Sequence, residues 1–192
     1  VMLVQFVSLK RGGEKGSMST RAGQFVTLSD VIKEVGVDAT RFFFLMRSSD
    51  THLDFDLELA KKESPENPVF YIQYAHARIC SIFQTATKQG INLLDQVDLD
   101  LKPLENEEEL IIIKKILAFT ETVEKSAELL EVHRIAFYLQ DLVGTFHRYY
   151  SSNRIVSDDQ TVTLARLFLM NCLRVTIRNG LSIMGVSAPA SM

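Results

Sequence analysis

The chain has 192 residues, 46% of them hydrophobic, which suits one larger domain or a small module joined to a second one. Its formal net charge of -3 argues against indiscriminate nucleic-acid binding. Two cysteines, Cys80 and Cys172, and four histidines suggest neither a disulfide framework nor a zinc site, so we expect no protein-bound metal and a reducing cytoplasm. The apolar runs are far shorter than the roughly 20 residues that cross a bilayer, which excludes membrane insertion.

The chain opens with a strand pattern and a loop. Residues 2–9 (MLVQFVSL) are apolar and β-branched, and because the sequence begins inside this pattern we expect a longer parent protein. The loop GSMSTRAGQFVTL follows at residues 16–28, preceded by Lys15 and containing Arg21. Backbone N–H groups of such a loop, with nearby cations, can bind phosphate oxygens. An exposed turn explains the same composition, and the spacing alone favours that interpretation.

Two short helices and a second strand are predicted next. Thr27, followed by Asp30, provides an N-cap and an acidic first turn for a helix that ends near Gly36. Asp38 is predicted to cap the following helix. Between residues 53 and 59, leucine or phenylalanine alternates with an acidic residue, the pattern of a half-buried strand. The acids could suggest a metal site, but regular alternation favours the solvated face of an edge strand.

The best-marked helix begins after Asn67, has Pro68 at its first position and runs to Gly90. One arc of this helix is aliphatic, and an adjacent arc carries two aromatic rings and a cation. The members of the adjacent arc are Tyr71, Tyr74 and Arg78. They could stack on unpaired bases and bind a phosphate, or they could pack at the margin of the core.

Residues 95–108 are acidic with one proline, which predicts a connecting loop. Three long helical patterns follow at residues 108–130, 132–152 and 160–184, and Gly185 closes the last one. The sequence therefore predicts a mainly α protein, in which a small strand-helix-helix-strand-helix module precedes an antiparallel helical bundle.

The bundle contains further candidates for RNA contact. All basic residues after position 131 are arginines, whose planar forks match phosphates and base edges, although ordinary solvated helix faces are the favoured explanation. Phe146 and Tyr150 lie one helical turn apart beside Arg148, and an aromatic pair at that spacing usually packs in the core.

Three segments together carry a resemblance to a known family. They are MLVQFVSLKRGGEKGSMSTRAGQFVTL, GVDATRFFFLMRSSDTHLDFDLELA and NPVFYIQYAHARICSIF, of which YIQYAHAR is the most specific part. They look like the C-terminal portion of a bacterial class I arginyl-tRNA synthetase, and the resemblance covers nearly the whole chain. It implies the end of a catalytic region with a linker fold at residues 1–66, and an all-helical anticodon-binding domain at residues 67–192.

The resemblance implies a role for the opening loop. It takes the place of the signature Lys-Met-Ser-Lys-Ser, whose lysines stabilise charge on the ATP phosphates. The five positions are filled by Ser17, Met18, Ser19, Thr20 and Arg21. Neither signature lysine is present, which leaves Lys15 and Arg21 as the candidate catalytic cations. No His-Ile-Gly-His signature occurs, so arginine and ATP with magnesium belong to a full-length arginine-tRNA ligase and this fragment alone is expected to be inactive.

The resemblance also implies that arginine tRNA is the partner of a monomeric, cytoplasmic protein. The positions that match the family's RNA-facing residues are Tyr71, Tyr74, Arg78, Phe146, Tyr150 and Met192. The family usually has charged residues before the last methionine, whereas this chain has Ala190 and Ser191. Two alternatives are another class I synthetase, such as the cysteinyl enzyme, and a helical protein-interaction scaffold without an RNA role.

Overall fold

The computed structural model describes residues 5, 7–11, 14–15, 26–92 and 98–192, and shows a mainly α chain with a small sheet. The strands are β1 (Val7–Arg11), β2 (Glu14–Lys15) and β3 (Leu53–Asp56). The helices are α1 (Leu28–Val35), α2 (Val37–Leu45), α3 (Leu57–Lys61), α4 (Pro68–Lys88), α5 (Glu107–Leu117), α6 (Phe119–Glu128), α7 (His133–Ser152) and α8 (Gln160–Ile183). The predicted order of strand, two helices, strand and helix is confirmed, with the short elements β2 and α3 added to it.

The three strands form a sheet in the order β2-β1-β3, in which β1 pairs antiparallel with β2 and parallel with β3. In β3 the side chains of Leu53 and Phe55 are buried, which matches the predicted alternation. Asp54 lies on the other face, where its carboxylate pairs with the Lys10 ammonium at 2.7 Å. The acids of this strand therefore belong to a partly solvated face of an edge strand, as predicted.

Side-chain caps decide where two of the short helices begin. In α1 the hydroxyl of Thr27 accepts from the backbone N–H of Asp30, whose carboxylate accepts in return from the backbone N–H of Thr27, a complete capping box. The cap predicted there is confirmed. The strand alternation predicted up to residue 59 ends earlier, because the Asp56 carboxylate accepts from the N–H groups of Glu58 and Leu59 and starts α3.

The predicted cap of α2 is wrong. The helix starts at Val37, directly after Gly36, whose φ of 85° lies in the left-handed region that glycine adopts freely. Asp38 is thus already inside the first turn of the helix. Its carboxylate accepts hydrogen bonds from Gln73 and Ser187, two residues far away in sequence.

Helix α4 begins and ends where the sequence predicts. The amide oxygen of Asn67 accepts from the backbone N–H of Val69, and its amide nitrogen donates to the carbonyl oxygens of Ala60 and Lys62. One side chain therefore caps α4 and joins it to the end of α3. At the other end Gly90 has a φ of 76°, which stops the helix.

The predicted aliphatic arc of α4 forms part of the core. Ile72, Ala75 and Ile79 have no exposed surface, and the helix packs against α2, α7 and α8. The hydrophobic core is one cluster that runs from β1 to the segment after α8. The domain boundary expected between residues 66 and 67 stays a prediction.

The helical bundle is built from α4 to α8, and α7 packs against α4, α5, α6 and α8. The pattern at residues 108–130 predicts one helix, whereas the structure divides it into α5 and α6 at Ala118. The backbone of Ala118 keeps right-handed helical angles, so the interruption is local. The patterns for α7 and α8 are confirmed to within a residue or so at each end, and Gly185 follows α8 with a φ of 65°.

The cap of α4 gives a direct test of this packing. Asn67 is 3% exposed, so replacing it with alanine removes a helix cap and leaves two carbonyl oxygens without their donor. We expect Asn67→Ala to lower the free energy of unfolding by about 1 to 3 kcal/mol, measured by urea denaturation. The matched control is Asn179→Ala on the exposed face of α8, which should change stability by less than about 0.7 kcal/mol, because alanine forms helices better than asparagine. Equal effects of the two changes would contradict the role of Asn67.

Candidate nucleic-acid interface

An open groove of about 570 Å³ lies along the second half of α4, which we call the α4 groove. Its opposite wall is the end of α7 with the segment after it, and residues 191–192 also line it. Its aromatic and polar side chains include Tyr74, Arg78, Gln89, Tyr150, Asn153 and Arg154. Among the described residues that line the groove, none is acidic. Its side chains therefore favour an anionic ligand.

Arg78 is held in this groove by aromatic rings. The carbon at the centre of its guanidinium lies 4.5 Å from the ring centroid of Tyr74 and 4.9 Å from that of Tyr150. Its Nη2 donates to the Tyr74 hydroxyl at 2.6 Å, and its Nη1 lies 3.4 Å from Nδ1 of His147. These contacts restrict the side chain, and because a guanidinium has five N–H donors, some of them stay available for a ligand.

His147 contacts Arg78 and two tyrosine rings of α4. Its ring centroid lies 4.4 Å from that of Tyr71 and 6.0 Å from that of Tyr74. Burial lowers the pKa of His147, and the positive charge of Arg78 acts in the same direction. A neutral imidazole can accept through Nδ1, so the ring is able to take a hydrogen bond from the guanidinium of Arg78.

The predicted RNA-facing residues do not all reach the groove. Tyr74, Arg78, Tyr150 and Met192 line it together. Tyr71 does not line the groove: its ring packs against His147, and it lines a separate depression on the side of α2.

The structure corrects the RNA contact predicted for Phe146. Its side chain has no exposed surface, so its ring cannot stack on a base, and its predicted RNA contact is replaced by a packing role. The ring lies 5.8 Å from that of Tyr150, centroid to centroid, and so supports a residue of the groove. The general expectation that an aromatic pair at this spacing packs in the core holds for Phe146 and only partly for Tyr150.

A buried charge network holds the segment of Arg154 in place. Glu109 has no exposed surface, and its Oε1 accepts from the Tyr149 hydroxyl at 2.7 Å and from Nε of Arg166 at 2.8 Å. Arg166 then donates through Nη1 to the carbonyl oxygen of Arg154 at 2.9 Å. Because the carboxylate is fully paired, the network can fix the chain beyond α7 without leaving a buried charge alone.

The sequence did not assign His147, Asn153 or Arg154 to a site. The only signal for Arg154 was its membership of an all-arginine region. His147 lies between Phe146 and Tyr150 in sequence, yet nothing local indicates its contact with Arg78. Asn153 lines the groove because the chain leaves α7 there, which is a tertiary feature.

The helical part of the chain matches a known protein family. Residues 72–192 match the family described as the DALR anticodon binding domain, which is more than half of the chain. The chain belongs to the DALR anticodon-binding domain family. The α4 groove lies within the matched region, since all of its lining residues follow position 72.

Similar proteins match the whole chain, including the part before the DALR domain. The chain is 53% identical to the arginine-tRNA ligase of Syntrophotalea carbinolica and 52% identical to that of Geobacter sp. strain M21, and it covers all of its own length and 35% of each relative. It therefore spans about a third of the length of these relatives. The predicted resemblance to arginyl-tRNA synthetases is confirmed.

Solved structures share the fold. A chain from Campylobacter jejuni assigned as an arginyl-tRNA synthetase matches with a TM-score of 0.86 at 35% identity, over 99% of this chain and 40% of that one. The Thermus thermophilus arginyl-tRNA synthetase matches with a TM-score of 0.73 at 22% identity, over 96% of this chain and 34% of that one. The second likeness shows the fold alone.

The candidate ATP-site loop, at residues 16–28, precedes the DALR domain. The positions from Ser17 to Arg21, with Met18, Ser19 and Thr20 between them, lie outside the described residues. Lys15 lies in β2, where its backbone pairs with that of Lys10. The assignment of these residues to an ATP site stays a prediction.

Within the described residues, histidine, cysteine and acidic side chains form no group of three that could hold a metal ion. Among the helices of the described residues, none is long and apolar enough to cross a membrane. Cys80 and Cys172 are both free thiols.

The pH dependence of stability tests the environment of His147 in the DALR domain. Its pKa in the folded chain is lowered from the usual 6.5, chiefly by burial. The unfolded chain regains the usual value and binds the proton more readily, so the free energy of unfolding falls as the pH drops below about 6.5. This loss continues until the pH passes the lowered pKa of the folded state.

We expect His147→Asn to reduce this pH dependence, because an asparagine amide does not titrate and keeps an oxygen acceptor near the place of Nδ1. The measurement is urea denaturation of both proteins at about pH 7.5 and about pH 5.5. His76, whose pKa is also lowered by burial, is present in both chains and contributes equally to each. An equal loss of stability in the two proteins would show that His147 is not shielded in its neutral form.

Proposed function

We propose that the α4 groove binds the anticodon arm of arginine tRNA. The observation that carries this proposal is the contact of the Arg78 guanidinium with the rings of both Tyr74 and Tyr150, inside an open groove whose described lining has no acidic residue. Rings of this kind stack on unpaired bases, and a guanidinium binds phosphate or base edges. The family's description as an anticodon binding domain supports the same ligand.

The charge distribution of the groove supports a role in holding a nucleic-acid backbone. Arg78 and Arg154 are its cations, and Gln89 and Asn153 add neutral hydrogen-bonding groups. Since the whole chain has a net charge of -3, attraction to RNA depends on such a local cluster and not on bulk charge. Arg154 is exposed, so it can move to meet a phosphate, whereas Arg78 is already held by its neighbours.

Arg78→Ala tests this role. We expect the affinity for an RNA stem-loop with the anticodon arm of arginine tRNA to fall by about 1 to 3 kcal/mol, roughly 5-fold to 150-fold. If Arg78 contacts a phosphate, the slope of log affinity against log salt should also become shallower by about 1. Fluorescence titration at several salt concentrations measures both quantities.

The matched control is Arg134→Ala, because Arg134 lies at the start of α7, outside the groove, and pairs with Glu131. It removes the same positive charge from the protein and should leave the affinity within a few-fold of the parent. The melting temperature of each variant is recorded alongside. If Arg78→Ala lowers the melting temperature but leaves the RNA affinity unchanged, the tyrosine and arginine side chains only pack, and the scaffold alternative holds.

We infer further that the chain is part of an arginine-tRNA ligase in which the loop at residues 16–28 acts on ATP. The relatives that match the whole chain carry that activity in their names. The loop would approach the phosphates with Ser17, Met18, Ser19 and Thr20, while Lys15 or Arg21 stabilises charge that develops as the adenylate forms. Arginine and magnesium would bind elsewhere in such an enzyme.

Alanine at the working cation should lower the single-turnover rate of adenylate formation in the longer enzyme by roughly 100-fold to 1,000-fold. ATP binding should change less, because the cation is aimed at charge in the transition state. Arg21→Ala is the first variant to measure, Lys15→Ala the second, and Lys125→Ala on α6 is the control. Rates within a few-fold of the parent for both loop variants would assign phosphate stabilisation to a residue outside this chain.

The proposed cellular setting is a cytoplasmic, monomeric enzyme with arginine tRNA, arginine and ATP as partners and no membrane partner. Its oligomeric state is measured by size-exclusion chromatography with light scattering.

A further inference from the structure

The segment after α8, residues 186–192, is fixed by side chains from two distant helices; we call it the closing segment. The Asp38 carboxylate on α2 accepts from the backbone N–H of Ser187 at 3.2 Å and also from its hydroxyl. Gln73 on α4 donates through Nε2 to Asp38 at 2.8 Å and to the carbonyl oxygen of Ser187 at 3.0 Å. Three polar groups therefore satisfy one another where α2, α4 and the closing segment meet.

A second anchor lies two residues further on. Nδ1 of His76 on α4 lies 2.8 Å from the carbonyl oxygen of Pro189. A carbonyl only accepts, so Nδ1 carries the proton and donates it. His76 is 5% exposed, and burial lowers its pKa, with the positive charges of Arg174 and Arg178 adding to the effect.

The turn that starts the closing segment is also fixed. Gly185 has a φ of 65°, and the backbone N–H of Val186 donates to the carbonyl oxygen of Leu181 at 2.9 Å. Val186 itself is buried. The chain is thus held at residues 186, 187 and 189. Only two residues lie between Pro189 and Met192, whose side chain lines the α4 groove.

None of the side chains that make these anchors lines the groove. Asp38 and Gln73 lie in a different depression, between α2 and the start of α4. His76 is buried on the face of α4 that meets the closing segment. Their contacts nevertheless restrict where Ser191 and Met192 can lie, because a segment that side chains hold at residues 187 and 189 has few positions left.

We propose that Asp38, Gln73 and His76 are positioning residues for RNA binding, which act by holding Ser191 and Met192 as one wall of the α4 groove. This rests on the proposed function of the groove. The hydrogen bond from Ser187 to Asp38 thereby couples α2, which lies next to the sheet, to the α4 groove, although Asp38 does not line the groove itself. Loss of the Asp38 contacts should therefore weaken RNA binding through the closing segment alone.

Two variants of the 192-residue chain test this. Asp38→Ala removes the carboxylate, and Ser187→Ala removes a hydroxyl from the closing segment without changing any helix. The first readout needs no RNA: it is the rate at which a carboxypeptidase releases Met192 and Ser191, which increases when the segment opens locally. We expect Asp38→Ala to speed this release by about tenfold, and Ser187→Ala by a smaller factor.

The second readout is affinity for the anticodon-arm stem-loop. Asp38→Ala should weaken it by about tenfold in the intact chain and have no effect in a chain that lacks residues 191–192, because both changes remove the same wall. Asp158→Ala, at an exposed carboxylate after α7, is the control and should alter neither readout. A general loss of stability would instead weaken binding in both backgrounds.

Unchanged release rates in both variants would overturn the proposal at its first step. Faster release with unchanged affinity, while Arg78→Ala still weakens binding, would overturn it but leave the proposed function intact. If the parent chain does not bind the stem-loop and Arg78→Ala has nothing to reduce, the proposed function fails and the proposal fails with it. Should Asp38→Ala not fold, Ser187→Ala decides between these results.

Discussion

The rest of the structure depends on the burial of α4 between α2, α7 and α8. One arc of this helix, with Ile72, Ala75 and Ile79, is completely covered, so its rotation about its own axis is fixed. The neighbouring arc then has to face the end of α7, and Tyr74 and Arg78 can only project into the α4 groove. Position in a helical pattern, combined with packing, thus creates the candidate site without any special local sequence.

The same packing explains why Arg78 is held by its neighbours and can still contact a ligand in the groove. Its guanidinium is placed against two tyrosine rings, which lowers its freedom before any ligand arrives. Less conformational entropy is lost on binding when the binding side chain is already held. The network of Glu109, Tyr149 and Arg166 acts in the same way on the opposite wall, because it fixes the chain at Arg154. The groove is therefore supported from both sides.

Local signals made much of the fold predictable. The caps at Thr27 and Asn67, and the periods of α4, α7 and α8, depend on residues within a few positions of one another. Two further predictions, for Asp38 and Phe146, fail for non-local reasons. The local sequence predicts a helix cap at Asp38, but its carboxylate accepts from the backbone N–H of Ser187, 149 positions later. Family likeness predicts an RNA-facing ring at Phe146, although α7 places that ring in the core. Sequence spacing does not report which face of a helix meets which neighbour.

Hydrogen-deuterium exchange of the 192-residue chain, with and without the anticodon-arm stem-loop, tests the central claim that the α4 groove is where RNA binds. The account predicts slower exchange on RNA addition in the second half of α4, in the segment after α7 and at residues 187–192, and no change in α5 or α6. Slower exchange confined to α5 and α6, with the α4 groove unaffected, would contradict it.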